Sequence, residues 1–319
     1  MIMKLDVIDK KLLAYLYHNY RSPITEVAKA CRISRDQAEY RLKKFEKGGL
    51  IKKYLTIFNY SLLGYNDFVV VWLRLKSNNR EKIKKELEGM KHVITVGDIV
   101  ADYDIVVDFI FKDKYEFEKV FYKFIEEHEE DISDYSVFMS TDAEFFPLKM
   151  FGSKEEDSYR MVTPKEKIAL EDREIQILRE LEKNGRVRII DIAHKLGISG
   201  ELALYKLKQL RKKEVILGNR IQFDMQMLGF YFAVLRLKIN NLNENLKGKI
   251  RSFCKNKPHT NALSFGISNN YNTLIQLFYQ NEDELRKGIG EIREEFRKDI
   301  SEDSLILLEN EGNVKTLVI

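Results

Sequence analysis

The chain has 319 residues, 44% of them hydrophobic, and a formal net charge of only +4. That composition excludes a disordered chain, the length fits about two domains, and no apolar run reaches membrane-spanning length, so no membrane partner is expected. No cationic, apolar leader opens the sequence, and Cys31 and Cys254 are expected to be reduced, partly buried thiols of a cytoplasmic protein.

Residues 5–18 read as a first helix, with Leu5, Ile8, Leu12 and Leu16 on one face and Asp6 and Asp9 suiting its N-terminus. Thr25 opens a short second helix with Val27 and Ala28 inward, and a tight turn follows at Cys31–Arg32–Ile33. Ser34 is the N-cap of a third helix, its hydroxyl satisfying early backbone amides. That helix runs to about Lys47, with Ala38, Leu42 and Phe45 inward, and Gly48-Gly49 ends it. Leu50–Ile57 alternates as a strand, the expected wing. From Phe68 the period changes. Phe68–Lys76 is a strand, Arg80–Met90 a helix, Val93–Val100 and Asp104–Phe111 strands, Tyr115–Ile125 a helix and Ser133–Thr141 a strand. That order, βαββαβ, is the ferredoxin-like plan. Residues 152–163 are polar, lack periodicity and read as a linker.

The chain then starts again. Residues 5–64 and 170–229 align without a gap at a constant offset of 165 residues. Leu12, Arg21, Ala28, Ser34, Tyr40, Leu42 and Gly64 meet Ile177, Arg186, Ala193, Ser199, Tyr205, Leu207 and Gly229. A copy this long means two units of one architecture. The second βαββαβ run, Phe230–Ile239, Leu246–Cys254, Thr260–Ser268, Tyr271–Tyr279, Glu282–Phe296 and Ser301–Glu309, needs small gaps and has diverged more. The expected fold class is α+β, a tandem repeat of a winged helix-turn-helix domain and a ferredoxin-like domain. The boundaries are 1–60 and 61–151, a linker at 152–168, then 169–225 and 226–319.

Charge is placed unevenly. Arg35, Arg41, Lys43, Lys44, Lys47, Lys52 and Lys53 crowd one segment of the first copy, and Lys206, Lys208, Arg211, Lys212, Lys213 and Arg220 crowd the same segment of the second. Acids at 126–131 compensate elsewhere. A local phosphate-binding surface is thereby held within a near-neutral protein.

Leu-Asp-x-x-Asp-x-x-Leu-Leu at 5–13, Arg21, Glu26-Val27-Ala28, Ile33-Ser34, Tyr40-Arg41-Leu42 and Gly49-Leu50-Ile51 together resemble the opening domain of the Lrp/AsnC (feast/famine) transcription regulators of bacteria and archaea. Leu62-Leu63-Gly64 is similar to the hinge into that family's effector (RAM) domain, and Gly97 with Asp102-Tyr103-Asp104 resembles its glycine and Tyr-Asp region. The resemblance covers nearly the whole chain, twice. It implies double-stranded DNA as partner, an amino-acid-like small-molecule effector, and either a homo-oligomer or an internal pseudo-dimer, in a cytoplasmic, nucleoid-associated protein. High lysine and isoleucine usage fits an archaeal source. Three departures stand out. The second recognition helix starts Ser199-Gly200-Glu201-Leu202, with no basic residue before Lys206. Arg32 occupies a turn position that usually has glycine, as the second copy does at Gly197. Asp102-Tyr103-Asp104 becomes Asn270-Tyr271-Asn272 in the second copy.

In such folds the third helix enters the major groove. Arg35, Asp36, Gln37 and Arg41 are expected at base edges, where Arg and Gln pair bidentately with guanine and adenine. Ser34, Tyr40, Lys43, Lys44, Lys52 and Lys53 are expected at the backbone, with Ser199, Tyr205, Lys206, Lys208, Arg211 and Lys212 serving in the second copy. The bland alternative is a solvated basic helix face. Gly97, Asp102, Tyr103, Asp104, Gly266 and Tyr271 are the expected effector residues, against the alternative that they only make hairpin turns and a bulge. No cofactor, metal or catalytic residue is expected. His18, His92, His128, His194 and His259 are dispersed and none has metal-ligand spacing with a cysteine. Two rival readings stay open. Siroheme decarboxylases share the architecture, but Asn261-Ala262-Leu263 and Tyr271-Asn272 offer no clear His-Asn-Tyr-like site here. A non-specific, DNA-compacting architectural protein is the other.

Overall fold

The computed structural model describes residues 2–153, 158–310 and 312–317; residues 154–157 of the expected linker lie outside the described residues. The first copy runs α1 (Val7–Asn19), α2 (Ile24–Cys31), α3 (Arg35–Lys47), β1 (Ile51–Phe58), β2 (Asp67–Leu75), α4 (Arg80–Gly89), β3 (Val93–Ile99), β4 (Ile105–Phe111), α5 (Lys114–Glu127) and β5 (Ile132–Phe145). A short strand, β6 (Tyr159–Val162), follows. The second copy runs α6 (Asp172–Lys183), α7 (Ile189–Leu196), α8 (Gly200–Lys212), β7 (Ile216–Phe223), β8 (Tyr231–Ile239), α9 (Glu244–Asn256), β9 (Thr260–Ile267), β10 (Thr273–Tyr279), α10 (Glu282–Glu295) and β11 (Ile300–Asn310).

The helix starts are set by side-chain caps. Asp6 accepts the Asp9 N–H at 2.7 Å, and Ser34 and Ser199 accept the N–H groups of Gln37 and Leu202 at 3.1 Å each. The helix ends use left-handed residues, and each copy fills one of its two such positions with glycine and the other without it. Arg32 (φ 58°) matches Gly197 (φ 63°), while Glu214 (φ 58°) matches Gly49 (φ 77°). A side chain in that region is disfavoured by about 1 kcal/mol. Arg32→Gly and Glu214→Gly are each expected to raise stability by roughly that amount, read as a higher denaturant midpoint at unchanged m-value.

The wing expected after the third helix does not fold back on its own domain. β1 pairs antiparallel with β7, Ile51 opposite Phe223 and Phe58 opposite Ile216. Phe223 is the counterpart of Phe58, and Ile216 of Ile51, so the pairing is self-complementary about a pseudo-two-fold axis. Cross-copy bonds reinforce it. Arg21 donates to Gly185 O and to Val187 O at 2.9 Å, and its counterpart Arg186 pairs with Glu46 at 3.0 Å.

The two βαββαβ units close on each other. Sheet β3-β4-β2-β5 and sheet β9-β10-β8-β11 join at β3–β11 and at β5–β9, which makes an eight-stranded barrel with no free edge at those seams. Val69, Val71 and Leu73 of β2 pack outward on α4 and α5, and Ala233, Leu235 and Leu237 of β8 on α9 and α10. The alternate residues Val70, Trp72, Phe232, Leu274 and Leu308 point inward. Two segments differ from the sequence reading. β5 continues to Phe145, past Thr141, because β9 and β6 hydrogen-bond to it there. Tyr159–Val162, read as linker, is β6 on that extension. The pairing of copies thus lies within one chain.

Candidate nucleic-acid interface

α3 is seated by Ala38, Leu42 and Phe45, which are buried with Leu12, Leu16 and Val27 of α1 and α2. Leu207 and Leu210 of α8 pack likewise with Ile177, Leu181 and Ile192 of α6 and α7. The outer faces are cationic. Arg35, Lys44 and Lys47 on α3, and Lys208, Arg211 and Lys212 on α8, are exposed and form no ion pair among the described residues. Tyr40 and its counterpart Tyr205 stand 71% and 59% exposed on the same faces. Lys43 is exposed and pairs with Glu39 at 2.7 Å, a bond that holds the Glu39 carboxyl below the usual carboxylate range. Gln37 uses its Oε1 to accept the Ser34 N–H at 3.2 Å, which leaves its amide NH2 outward.

Several expected contacts have partners inside the fold. Arg41 pairs with Asp6 at 2.8 Å and with Asp9; its counterpart Lys206, which is buried, pairs with Glu171 at 2.7 Å. The hydrogen bond to Asp6 raises the Arg41 guanidinium above its ordinary value; burial opposes this and Asp9 adds to it. Both cations lie on the flank of the third helix that faces the acid-capped start of the first, so both brace the fold. Lys53 pairs with Glu182 at 2.8 Å between the copies, and Lys52 sits 3.3 Å from Asp224. Arg41→Ala leaves the buried Asp9 carboxylate without its cation. It is expected to lower stability by about 3 kcal/mol in a denaturant titration.

The six expected effector residues fall in three places. Gly97 and Gly266 stand at the two barrel seams, where a Cβ would lie 3.0 Å from Asn310 O and 2.2 Å from Met139 O respectively. Asp104 accepts the Leu75 N–H at 2.7 Å, and its counterpart Asn272 accepts the Ile239 N–H at 2.9 Å, so the Asp-to-Asn change keeps a strand-end bond. Asp102 is left-handed at φ 71°, and its carbonyl accepts from Arg74 at 2.6 Å. Tyr103 and Tyr271 join Trp72 around Arg236, their ring centres 5.6, 4.7 and 5.4 Å from its guanidinium. Arg236 is buried, donates to Ser304 at 2.6 Å and meets no carboxylate among the described residues; the three ring faces supply the negative potential. Sequence reasoning passed over Arg236, whose one signal was a cation inside an otherwise apolar strand pattern.

Inside the barrel, next to Trp72, lies a cavity of about 130 Å³. Phe68, Val70, Val234, Leu274 and Leu308 line it, Gly97 is in its wall, and Thr95, Asp108, Glu144, Ser264 and Gln276 are its polar members. The Thr95 hydroxyl and the Trp72 indole N–H have no hydrogen-bond partner among the described residues. The second wing strand borders the cavity: Gln222 donates to Gly312 O at 2.8 Å, and the Arg220 guanidinium lies 5.1 Å from the centre of the Phe145 ring.

Among the described residues no three metal-ligating side chains gather, and no helix is long and apolar enough to cross a membrane. His92 is buried against Phe111 and Glu116; burial lowers its pKa, opposed by the Glu116 bond. Both thiols are free and buried, and burial pushes Cys254 up to about 12.

Two winged helices on a closed ferredoxin-like barrel define a tandem helix-turn-helix protein. A winged helix-turn-helix DNA-binding family model matches residues 5–52 and again 170–216. The regulatory protein AsnC of Haemophilus influenzae is 30% identical over 102 residues, 32% of this chain and 68% of that protein. The HTH-type transcriptional regulator FL11 of Pyrococcus furiosus is 28% identical over 103 residues, again 32% and 68%. The crystal structure of the siroheme decarboxylase NirDL superposes with a TM-score of 0.63 at 15% identity, covering 97% of this chain and 94% of that one, which is a likeness of fold. The chain belongs to the Lrp/AsnC family of helix-turn-helix transcriptional regulators.

Proposed function

We propose that the chain binds duplex DNA sequence-specifically, with α3 and α8 as reading heads and the barrel fixing their relation. The observation that carries this is the set of exposed cations, without an ion pair among the described residues, on the third helix of each copy. Phosphate neutralisation supplies affinity, and the side chains at the start of each helix supply discrimination. The test is titration of a selected promoter fragment and a scrambled duplex at one salt concentration. Preference for the selected fragment of at least about a thousandfold is expected. Equal affinity would instead favour the DNA-compacting reading.

We assign any effector to the barrel cavity. Its volume of about 130 Å³ suits a small, largely apolar molecule with one hydrogen-bonding group for Thr95 or Trp72. Trp72 is the sole tryptophan, so occupancy is expected to shift the intrinsic emission. The siroheme decarboxylase reading has one observation in its favour. His259 lines a separate cleft with Lys4, Lys10 and Lys149. Incubation with siroheme is expected to give neither a spectral shift nor loss of carboxyl mass.

A further inference from the structure

The two reading heads occupy equivalent places but present different chemistry. At the constant offset, Arg35, Gln37 and Glu39 of α3 face Gly200, Leu202 and Leu204 of α8. Leu202 and Leu204 are 40% and 41% exposed, unusual for leucine on a helix already packed on its other side. Ile190 of α7, also exposed, adjoins the start of α8: a Cβ on Gly200 would lie 3.3 Å from its Cδ1. Glu201 is the sole charged side chain in the first turn of α8. These positions are therefore apolar where α3 offers an arginine, an amide and a carboxylate. Around them the cationic rim persists, with Lys208, Arg211 and Lys212 exposed and unpaired among the described residues. A phosphate-facing rim around an apolar strip suits a DNA groove better than a protein partner.

We infer that the operator is chemically asymmetric, with the α8 half-site read through thymine methyl groups by Leu202 and Leu204 and the α3 half-site through purine edges by Arg35 and Gln37. This rests on the DNA-binding reading above. A homodimer repeats one reading head and so matches a palindrome. Here the pseudo-symmetry of the scaffold is kept and that of the readers is broken. The major-groove features open to an apolar side chain are the thymine methyls, whereas N7 and O6 acceptors answer Arg and Gln donors.

The test uses the full chain. Duplexes are selected from a random pool, and each half-site is then substituted on the best one. Replacing thymine by deoxyuridine removes the methyl and leaves base pairing intact. In the α8 half-site it is expected to weaken binding by about fourfold per methyl, and Leu202→Ala or Leu204→Ala is expected to abolish that sensitivity. Replacing purines by their 7-deaza forms is expected to weaken binding in the α3 half-site only, and Arg35→Ala to abolish it. A palindrome with equal responses in both halves would overturn the inference. So would protection of one half-site together with self-association that Leu202→Ala abolishes, which would make the strip a protein contact. Failure to bind any duplex at low salt would instead remove the DNA-binding reading itself, and this inference with it.

Discussion

Reversing Arg35 and Lys44 together to glutamate is expected to lower affinity for the selected duplex on the order of a hundredfold. Each lost phosphate or base contact of an arginine or lysine is worth about 1–3 kcal/mol, and the added carboxylates repel the backbone. The magnitude of the salt slope is expected to fall by about 2, one for each cation. Both side chains are exposed and unpaired among the described residues, so the melting temperature should not move. This separates the pair from Arg41, whose substitution is expected to act through stability because Asp6 and Asp9 hold it. A double variant that binds within threefold of the parent would mean that α3 does not face DNA.

Gly266→Ala is expected to be strongly disruptive at the β5–β9 seam. The added Cβ would sit 2.2 Å from the Met139 carbonyl and 2.6 Å from the Phe138 ring, both on the facing strand of the β5–β9 seam. Neither a backbone oxygen nor a packed ring can yield without parting the strands, so a loss of about 3 kcal/mol is expected. For a unit this size that is roughly 6–12 °C in melting temperature. Gly97→Ala, at the other seam, meets its neighbours at 3.0 Å and should lose much less. Equal melting of the two variants would contradict the seam geometry.

The helices of both heads, their serine caps and the two βαββαβ runs were legible because each rests on local periodicity or a short-range cap. The family resemblance agreed with them. Illegible features were those decided by partners far along the chain. Nothing in Ile51–Phe58 says that its partner is Ile216–Phe223 rather than a hairpin mate. The length of β5 and the existence of β6 depend on β9 passing alongside. At the candidate site the cationic helices were visible, but which cations are exposed was not. Arg41 and Arg35 read alike until Asp6 and Asp9 are placed beside one of them, 35 and 32 residues away in sequence. The matching acids Glu171 and Glu174, near Lys206 and Lys213, carried that information in the second copy. The apolar positions on α8 were visible only as the absence of a basic residue before Lys206, and their exposure needed the packed fold.

The most direct test of the central claim is the affinity of the full chain for duplex DNA as a function of salt. Six exposed cations on α3 and α8, unpaired among the described residues, predict a slope of log affinity against log salt of about −5, at roughly 0.9 per phosphate neutralised. A flat line, or no binding at about 50 mM salt, would contradict the account.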